Sequence, residues 1–383
     1  MKKPSVLSIG YTRELWEAHD NDTRSRLEFY AAHLEHYWLI TNSYKRHRLK
    51  AQRSGGMELI PTDARGPLDS FLKMIFIGRR ILHKNRVSVV QAQDPILTGL
   101  AAVLLGRWFK VPVNICVYGP NVFDLYWVRA HWTHRFQAPL GRWVLRNAAS
   151  IQVDGLLTAR RLRQALGEGV PIHAKPMIPR HFGSLLELEK TNEPAPDRFR
   201  MLFIGRLEQQ KNLAMLADVF ILAQEAFAAS GVRLELELLG EGSQAAELKA
   251  RLASFVASGQ VLFRGQVAAS ALSQAFRDAD VLVLTSYYEG FPRVMMEAAA
   301  AGVALVTTAV SGSDEAVVDG KTGFVTPIGD REAFVEKLSL LVRAPSLRRS
   351  MGEAGRLHIR ETLAASSDHA EKQLKIWEAL DRS

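Results

Sequence analysis

The sequence has a single cysteine, Cys116, among 383 residues, which excludes an internal disulfide and a zinc site built from several cysteines. Its neighbours Ile115 and Val117 are apolar, and this setting favours a buried structural thiol over a nucleophile. Redox chemistry at a cysteine pair is therefore excluded as the function.

Long hydrophobic runs are also lacking. No stretch reaches the ~18 apolar residues of a membrane-spanning helix, and Met1-Lys2-Lys3 leads only into a short apolar run, unlike a secretory signal. We therefore expect a cytoplasmic protein, either free or peripheral on the inner face of the plasma membrane. Nine of the 11 histidines precede residue 190, but their spacing does not indicate a metal site.

Charge is distributed unevenly. Residues 1–190 carry 28 Lys and Arg against 15 Asp and Glu, or +13, whereas residues 191–383 carry 21 against 25, or −4. A basic half of this kind indicates a polyanionic partner, and an anionic membrane surface, a phosphate-bearing substrate and nucleic acid all fit. We find no nucleic-acid-binding motif, so nucleic acid is not predicted as a partner.

Short β-rich runs alternate with helical stretches along the chain, which is typical of an α/β protein. The predicted strands are 6–9, 38–41, 58–61, 87–91, 113–117, 151–153, 201–204, 234–239, 261–263, 281–284 and 303–306. A polar, proline-bearing stretch at 186–197 separates two similar halves, and a final helical stretch at about 362–380 carries an apolar docking face. That face consists of Leu374, Ile376, Trp377 and Leu380. We predict domains over 1–190 and 191–358 and a closing helix over 359–383.

The first chemical motif follows the strand at 201–204. Arg206 and Lys211 flank the turn that leads from this strand into a helical pattern, and Gly205 lets the backbone approach a ligand. Because ligands bind at the carboxyl edge of open α/β sheets, these two cations are placed to neutralise a pyrophosphate. A solvated basic turn is the alternative interpretation.

The second motif places two carboxylates eight positions apart, Glu289 and Glu297. Pro292 suits a first helical turn and Gly302 suits a helix stop, so Glu289 is predicted before a helix and Glu297 within it. The two carboxylates therefore cannot have the same role. Glu297 can accept hydrogen bonds from both hydroxyls of a ribose, and Glu289 is placed to face a sugar attached to the phosphates. Glutamates that only satisfy a helix dipole are the alternative.

Together these motifs resemble those of retaining glycosyltransferases of family 4, also called group 1. The resemblance covers nearly all of residues 200–330. The stretches that carry it are Gly205-Arg206-Leu207, Lys211-Asn212, Leu239-Gly240-Glu241-Gly242, Phe263-Arg264-Gly265, Glu289-Gly290-Phe291-Pro292, Glu297, Gly312-Ser313-Asp314-Glu315 and Gly320-Lys321-Thr322-Gly323-Phe324. It implies the GT-B fold: two Rossmann-like domains facing a central cleft, with a C-terminal helix that crosses back to the N-terminal domain.

The resemblance also implies the roles of site residues. Arg206 and Lys211 hold the donor pyrophosphate, and with Glu289 they form the expected catalytic set. The expected donor-binding residues are Gly205, Gly240, Gly242, Arg264, Gly290, Phe291, Pro292, Val294 and Glu297. We expect the donor to be a UDP- or GDP-sugar, and we expect no cofactor or metal. The basic charge and the expected cytoplasmic location favour a hydroxyl of a lipid-linked, cell-envelope or extracellular polysaccharide glycan as the acceptor.

The N-terminal half matches the family less well. Where similar proteins carry a Gly-Gly loop and a His-Gly pair, this chain has Ile9-Gly10-Tyr11 and Tyr118-Gly119-Pro120. Tyr118 stands where the histidine is expected and is our acceptor-side candidate, with a structural role as the alternative. Asp94, at another predicted strand end, is a second acceptor-side candidate.

Two tempting motifs carry less weight. Residues 240–245 fit the dinucleotide fingerprint G-x-G-x-x-A, but the next strand is not followed by a ribose-binding acid. Asp278-Ala279-Asp280 imitates a D-x-D metal motif, yet it precedes a strand and so falls at the wrong edge of the sheet. We therefore predict neither a dehydrogenase nor a bound metal.

A segment at 129–143 mixes cations with Trp132, Phe136 and Trp143, and Pro139 and Gly141 are expected to interrupt any long helix there. It fits a membrane interface or packing on the N-terminal core equally well. For the whole chain, two alternatives to a glycosyltransferase stay open: a sugar-nucleotide epimerase of the same fold, and a non-catalytic protein that binds nucleotide-sugars or polyanions.

Overall fold

A computed structural model describes residues 3–12, 14–16, 22–118, 122–175, 182–188, 197–228, 231–291, 293–366 and 369–382. Its strands are β1 (Ser5–Gly10), β2 (His36–Thr41), β3 (Gln52–Ser54), β4 (Met57–Pro61), β5 (Val89–Ala92), β6 (Val113–Val117), β7 (Ser150–Val153), β8 (Ile172–Ala174), β9 (Arg198–Ile204), β10 (Arg233–Leu239), β11 (Val261–Gly265), β12 (Val281–Leu284), β13 (Ala304–Thr308) and β14 (Gly323–Thr326).

Its helices are α1 (Asp22–His33), α2 (Pro67–Lys84), α3 (Leu97–Phe109), α4 (Leu125–Ala130), α5 (His134–Arg146), α6 (Leu156–Leu166), α7 (Phe182–Leu186), α8 (Leu213–Phe227), α9 (Ala245–Arg251), α10 (Ala253–Ala257), α11 (Ala269–Asp278), α12 (Arg293–Ala300), α13 (Ser313–Ala316), α14 (Arg331–Arg343), α15 (Pro345–Ser366) and α16 (His369–Asp381). In the described ranges, no helix combines the length and apolar character that crossing a bilayer requires.

The chain forms two compact units. The N-terminal unit comprises residues 1–177 and 366–383, and the C-terminal unit comprises residues 178–365. Each is built on a parallel sheet, so the predicted α/β class with two parallel-sheet domains is confirmed.

The N-terminal sheet has eight strands in the order β3-β4-β2-β1-β5-β6-β7-β8, and β3 alone runs antiparallel to its neighbour. In the centre, Val6 of β1 pairs with Tyr37 on one side and Val89 on the other. From β1 the chain adds β2, β3 and β4 on one side of the sheet, and it then adds β5 to β8 on the other side of β1. The topological switch point therefore lies between β1 and β5. Ligands bind at the carboxyl ends of the strands at such a point.

Helix α16 completes the core of the N-terminal unit. Trp377 is fully buried against Tyr30, with ring centroids 5.0 Å apart, and its Nε1 donates to Oε1 of Gln91 on β5 over 2.9 Å. Leu374 and Ile376 are also buried, and Leu380 packs against the same cluster. These are the four residues of the predicted docking face.

The C-terminal sheet has six parallel strands in the order β11-β10-β9-β12-β13-β14. Its apolar strands, such as the fully buried Val281–Leu284, need cover on both faces, which is typical of parallel sheets. The strand order reverses between β9 and β12, so this sheet has its switch point there.

The boundaries of the units and of one helix differ from those expected from the sequence. The N-terminal unit ends at 177, ahead of the predicted 190, and its returning segment starts at 366 instead of 359. Helix α15 continues past the expected boundary at residue 359 and ends at Ser366. Ile359 is buried in the C-terminal core, which keeps this part of the helix with the C-terminal unit. Helix α5 continues through Pro139 and Gly141, since the burial of Ala138, Val144 and Leu145 outweighs the proline cost of ~3 kcal/mol.

Candidate functional site

The turn after β9 and the turn after β10 touch backbone to backbone. Gly205 donates its N–H to the carbonyl of Leu239 over 2.9 Å and has φ +158°, in the region that favours glycine. A Cβ at Gly240 would lie 2.0 Å from the carbonyl oxygen of Gly205. Glycine at position 240 is therefore required for the two turns to meet.

A second close contact extends this packing. A Cβ at Gly242 would lie 2.3 Å from the carbonyl oxygen of Leu207, which also accepts the N–H of Gln244 over 2.9 Å. Leu207 in turn donates its N–H to the carbonyl of Glu241 over 2.8 Å. The predicted donor-binding residues Gly240 and Gly242 thus hold the two loops in register at the carboxyl edge.

Lys211 and Glu289 meet at the switch point of the C-terminal sheet. Lys211 follows β9 and Glu289 follows β12, and Nζ lies 2.6 Å from Oε1 in an ion pair with both residues largely buried. The two charges were predicted from separate motifs 78 positions apart. The fold brings them together because their strands are neighbours in the sheet.

Two further side chains hold the Glu289 carboxylate. Ser286 donates its hydroxyl to Oε1 over 2.6 Å, and Gln210 donates its amide to Oε2 over 3.1 Å and to the carbonyl of Tyr288 over 3.0 Å. Sequence reasoning missed both. Their only signal was position, since Gln210 immediately precedes Lys211 and Ser286 lies three residues before Glu289 in the same loop.

The other two predicted cations are exposed. Arg206 donates from Nη2 to Oε1 of Gln210 over 3.2 Å, which links it to the Lys211–Glu289 pair. Arg264, at the end of β11, pairs with Glu237 over 2.8 Å and keeps 54% of its side chain exposed. Both guanidinium groups can therefore reach a ligand at the carboxyl edge without breaking the buried pair.

The two glutamates lie where the sequence predicted, one before a helix and one within it. Glu289 lies in the loop before α12, and Glu297 is buried within α12. Gly290 and Phe291 continue the loop, Phe291 packs partly against the core, and Val294 is buried in the first turn of α12. Pro292, also predicted, falls outside the described residues.

The switch point of the N-terminal sheet has different chemistry. The Gln93 side chain fills it: Oε1 accepts the N–H of Tyr11 over 2.9 Å, and a Cβ at Gly10 would lie 2.0 Å from that oxygen. Partial desolvation raises the pKa of Tyr11 above its ordinary value, and the neighbouring Asp94 carboxylate adds to the effect. The sequence did not single out Gln93, whose partners lie more than 80 positions away.

The two acceptor-side candidates have partners within the unit. The Asp94 carboxylate accepts the backbone N–H groups of Ile96 and Thr98 at 2.6 and 3.3 Å, so it caps the start of α3. The Tyr118 hydroxyl, at the end of β6, accepts the amide of Gln152 over 2.7 Å. Burial raises the pKa of Tyr118, so the phenol is neutral.

Two buried titratable groups were not anticipated. Burial raises the pKa of Asp154, after β7, from 3.8 to about 7, and it lowers the pKa of Lys175, after β8, from 10.5 to about 7. Lys175 donates to Oε1 of Gln373 on α16 over 2.5 Å. Cys116 is fully buried, as expected for a structural thiol.

The D-x-D sequence lies at the amino edge, as its position in the chain indicated. Asp278 pairs with Arg200 at 3.5 Å, and Asp280 pairs with the buried Arg348 at 3.2 Å while it accepts the N–H of Arg200. These two acids therefore neutralise arginines at the amino edge of the sheet. Among the described residues, no three His, Cys, Asp or Glu side chains are grouped so that they could hold a metal ion.

Two family models match the chain in sequence. Residues 187–358 match "Glycosyl transferases group 1", and residues 29–177 match "Glycosyl transferase 4-like domain". The chain is 31% identical over 163 residues to D-inositol 3-phosphate glycosyltransferase of an Arthrobacter species, covering 42% of the chain and 38% of the relative. It is 26% identical over 193 residues to the capsular polysaccharide biosynthesis glycosyltransferase CapM of Staphylococcus aureus, covering 50% of the chain and 47% of the relative. The matches thus span less than half the length of either relative.

Among solved structures, sucrose-phosphate synthase of Thermosynechococcus elongatus superposes with a TM-score of 0.73 at 19% identity, over 99% of both chains. At this identity the likeness concerns the fold alone, and it supports the GT-B architecture expected from the sequence motifs.

Proposed function

Because the chain belongs to the group 1 glycosyl transferases, we propose that it transfers a sugar from a nucleoside-diphosphate sugar to a hydroxyl acceptor. The observation that carries this proposal is the buried Lys211–Glu289 pair at the switch point of the C-terminal sheet, with Arg206 linked to it through Gln210. The donor diphosphate binds over these cations, at the position where ligands bind in open α/β sheets.

In the proposed reaction, Lys211 and Arg206 stabilise the negative charge that develops on the departing β-phosphate. Fixed cations in a water-poor site are suited to this role because they need no reorganisation during the reaction. Glu289, held by Lys211, Ser286 and Gln210, is an oriented acceptor for hydroxyls of the donor sugar. Glu297 accepts from the ribose, and the turns at Gly205, Gly240 and Gly290 allow close backbone approach.

We propose a retaining, metal-independent transfer. A cationic leaving-group site removes the need for a protonating acid, and the departing phosphate can take up the acceptor proton. NMR of the anomeric proton in the product tests retention, and an inverted product would contradict it.

On the acceptor side we propose the carboxyl edge of the N-terminal sheet, where Tyr118 and Asp94 lie. The relatives named above act on a phosphorylated inositol and in capsule synthesis, according to their names. With the basic N-terminal half, this favours a lipid-linked or cell-envelope glycan as the acceptor, at the inner face of the plasma membrane.

The first experiment is thermal stabilisation by a panel of nucleoside diphosphates and UDP- and GDP-sugars. A ligand at 100 times its Kd stabilises the folded protein by about 2.7 kcal/mol, which gives a clear rise in Tm. Arg206→Ala should abolish the rise without lowering the Tm of the free protein, because Arg206 is exposed.

Arg233→Ala is the matched control. Arg233 is also an exposed arginine of the C-terminal unit, but it begins β10 and so lies at the amino edge of the sheet. If both variants lost the ligand-induced rise in Tm equally, or if no nucleotide raised the Tm of the wild type, the proposed donor site would be contradicted.

A further inference from the structure

Exposed large apolar side chains are concentrated in one part of the N-terminal unit. Leu68, Leu72 and Phe76 form one stripe at i, i+4 and i+8 along α2, with exposures of 72, 57 and 69%. Trp132, just before α5, and Phe136, in its first turn, are 69 and 73% exposed and contact each other edge to face. In the described part of the C-terminal unit, only Val318, Leu340 and Leu357 belong to this class.

The helices that carry these residues share one face of the sheet. Helices α2, α3 and α5 each connect strands in the same direction across the sheet, and right-handed crossovers place all three on the same side. They pack side by side: a Cβ at Gly78 of α2 would lie 2.4 Å from Leu105 of α3, and a Cβ at Gly99 of α3 would lie 2.8 Å from Val144 of α5.

The same layer is strongly basic. Helices α2 to α5 contain nine Lys and Arg and a single acid, Asp69, which lies 3.7 Å from Lys73. Arg79, Arg80 and Arg135 are exposed beside the apolar residues. Arg107 of α3 lies over the ring of Trp143 of α5, 5.1 Å from its centroid, so a cation and an aromatic ring stack between these helices. We call this surface of α2 to α5 the basic apolar face.

We propose that the basic apolar face binds an anionic lipid bilayer, with Leu72, Phe76, Trp132 and Phe136 inserted at the level of the headgroups. Aromatic and aliphatic side chains gain from leaving water at this depth, and each nearby cation gains from the anionic headgroups. The inference rests on the proposed function only in its purpose, which is to bring a lipid-linked acceptor to the enzyme.

The topology supports that purpose. Helices that connect parallel strands run opposite to them, so α2 and α5 begin near the carboxyl edge of the N-terminal sheet. Leu68, Trp132 and Phe136 therefore lie toward the edge that carries Tyr118 and Asp94. A headgroup bound to this face lies on the acceptor side of the unit.

A second copy of the chain is the competing occupant. In a two-fold dimer the same patch meets itself, so nine cations and one acid would face nine cations and one acid. Like charges brought together in this way oppose association. The charge of the face therefore favours an anionic bilayer.

Sedimentation with lipid vesicles tests the proposal. The full chain should bind vesicles that contain phosphatidylglycerol and should not bind vesicles of phosphatidylcholine alone. Trp132→Ser/Phe136→Ser and Leu72→Ser/Phe76→Ser should each weaken binding at least about tenfold, because apolar burial and charge attraction are both required. Arg79→Glu/Arg80→Glu should weaken it to a similar extent and reduce its salt dependence.

Leu340→Ser/Leu357→Ser is the matched control, since it removes two exposed leucines of the C-terminal unit and should leave vesicle binding unchanged. Equal vesicle binding by the Trp132/Phe136 variant and the wild type would overturn the proposal. So would a wild-type dimer in solution that these substitutions dissociate. The Tm rise with nucleoside diphosphates is measured in parallel: its absence with vesicle binding intact contradicts only the donor site, and the reverse contradicts only the membrane face.

Discussion

The two units place different chemistry at equivalent points of their sheets. At the C-terminal switch point, Lys211 and Glu289 form a buried ion pair that Ser286 and Gln210 complete. At the N-terminal switch point, the neutral Gln93 side chain lies against Gly10 and Tyr11. The same topology thus provides a charged site suited to a diphosphate in one unit and a neutral hydrogen-bonding site in the other.

The difference extends to the nearby titratable groups. In the C-terminal unit, opposite charges stabilise each other where they are buried, as in Lys211 with Glu289 and Arg348 with Asp280. In the N-terminal unit, burial is the main cause that shifts the pKa values of Asp154 and Lys175 toward neutrality. The N-terminal edge is therefore the one whose charge changes near neutral pH.

Lys211→Ala should have the largest effect, since it breaks the charged site. It leaves the Glu289 carboxylate buried without its partner, which costs about 3–5 kcal/mol of unfolding free energy. It also removes a cation from the leaving phosphate, which should lower kcat about 10²–10³-fold. Urea unfolding and initial rates with labelled donor measure the two effects.

The double variant Lys211→Met/Glu289→Gln separates these effects. It removes both buried charges, so most of the stability should return while the activity stays low. If folded Lys211→Ala kept the wild-type kcat, the lysine would serve only the structure, and the contrast between the two switch points would lose its functional meaning.

Trp377→Ala should have the next largest effect, on the unit whose core depends on the returning helix. Removing a fully buried tryptophan typically costs 3–5 kcal/mol. Trp377→Phe keeps most of the ring volume but loses the hydrogen bond to Gln91, so it should cost less, about 1 kcal/mol for the bond. Urea unfolding of both variants checks this order, and equal losses would show that the hydrogen bond outweighs the packing.

Asp154→Asn tests whether the charge at the carboxyl edge of the N-terminal sheet changes near neutral pH. Between pH 3.8 and about 7 the folded protein keeps a proton on Asp154 that the unfolded chain has released, so rising pH favours unfolding. The stability that the protonated Asp154 contributes is complete at low pH, and it is lost as pH rises toward the pKa of Asp154 in the folded protein. The wild type should therefore lose stability relative to Asp154→Asn across that window, by at most about 1.4 kcal/mol per pH unit.

Urea unfolding of both proteins from about pH 4 to pH 8 measures the difference, which should become constant above the folded pKa of Asp154. The other carboxylates titrate in both proteins, so they cancel. Parallel stability curves across the whole range would mean that Asp154 is ionised in the folded protein.

The sequence predicted most strands because their signal is local. The run of Val281–Leu284 is apolar throughout, as a strand covered on both faces should be. Strand β3, by contrast, consists of Gln52–Ser54, which has no apolar pattern and exists only through its pairing with β4. Helix α5 was expected to break at Pro139 because local propensity cannot include the tertiary packing of Val144 and Leu145.

The same distinction applies to the candidate site. Lys211 and Glu289 could be named because each sits in a recognisable motif, although their contact required the strand order. Gln93 belongs to no motif, and its role depends on Gly10 and Tyr11, which are distant in sequence. Polar residues whose function comes only from tertiary contacts are not readable from one sequence.

Chelation of metal ions should have the smallest effect, because the cations of the C-terminal site already supply the positive charge. Lys211 and Arg206 lie at the carboxyl edge, whereas the acids of the D-x-D sequence pair with Arg200 and Arg348 at the amino edge. Excess EDTA should change the initial rate by less than about twofold, whereas a metal that neutralised the leaving phosphate would contribute several kcal/mol. Asp278→Asn, which changes the contacts with Arg200 and Gln274 at that edge, should also leave the rate unchanged. A loss of activity in EDTA that Mg²⁺ restores would show that the two cations do not suffice, and the donor site would then need oxygen ligands that neither Lys211 nor Arg206 can provide.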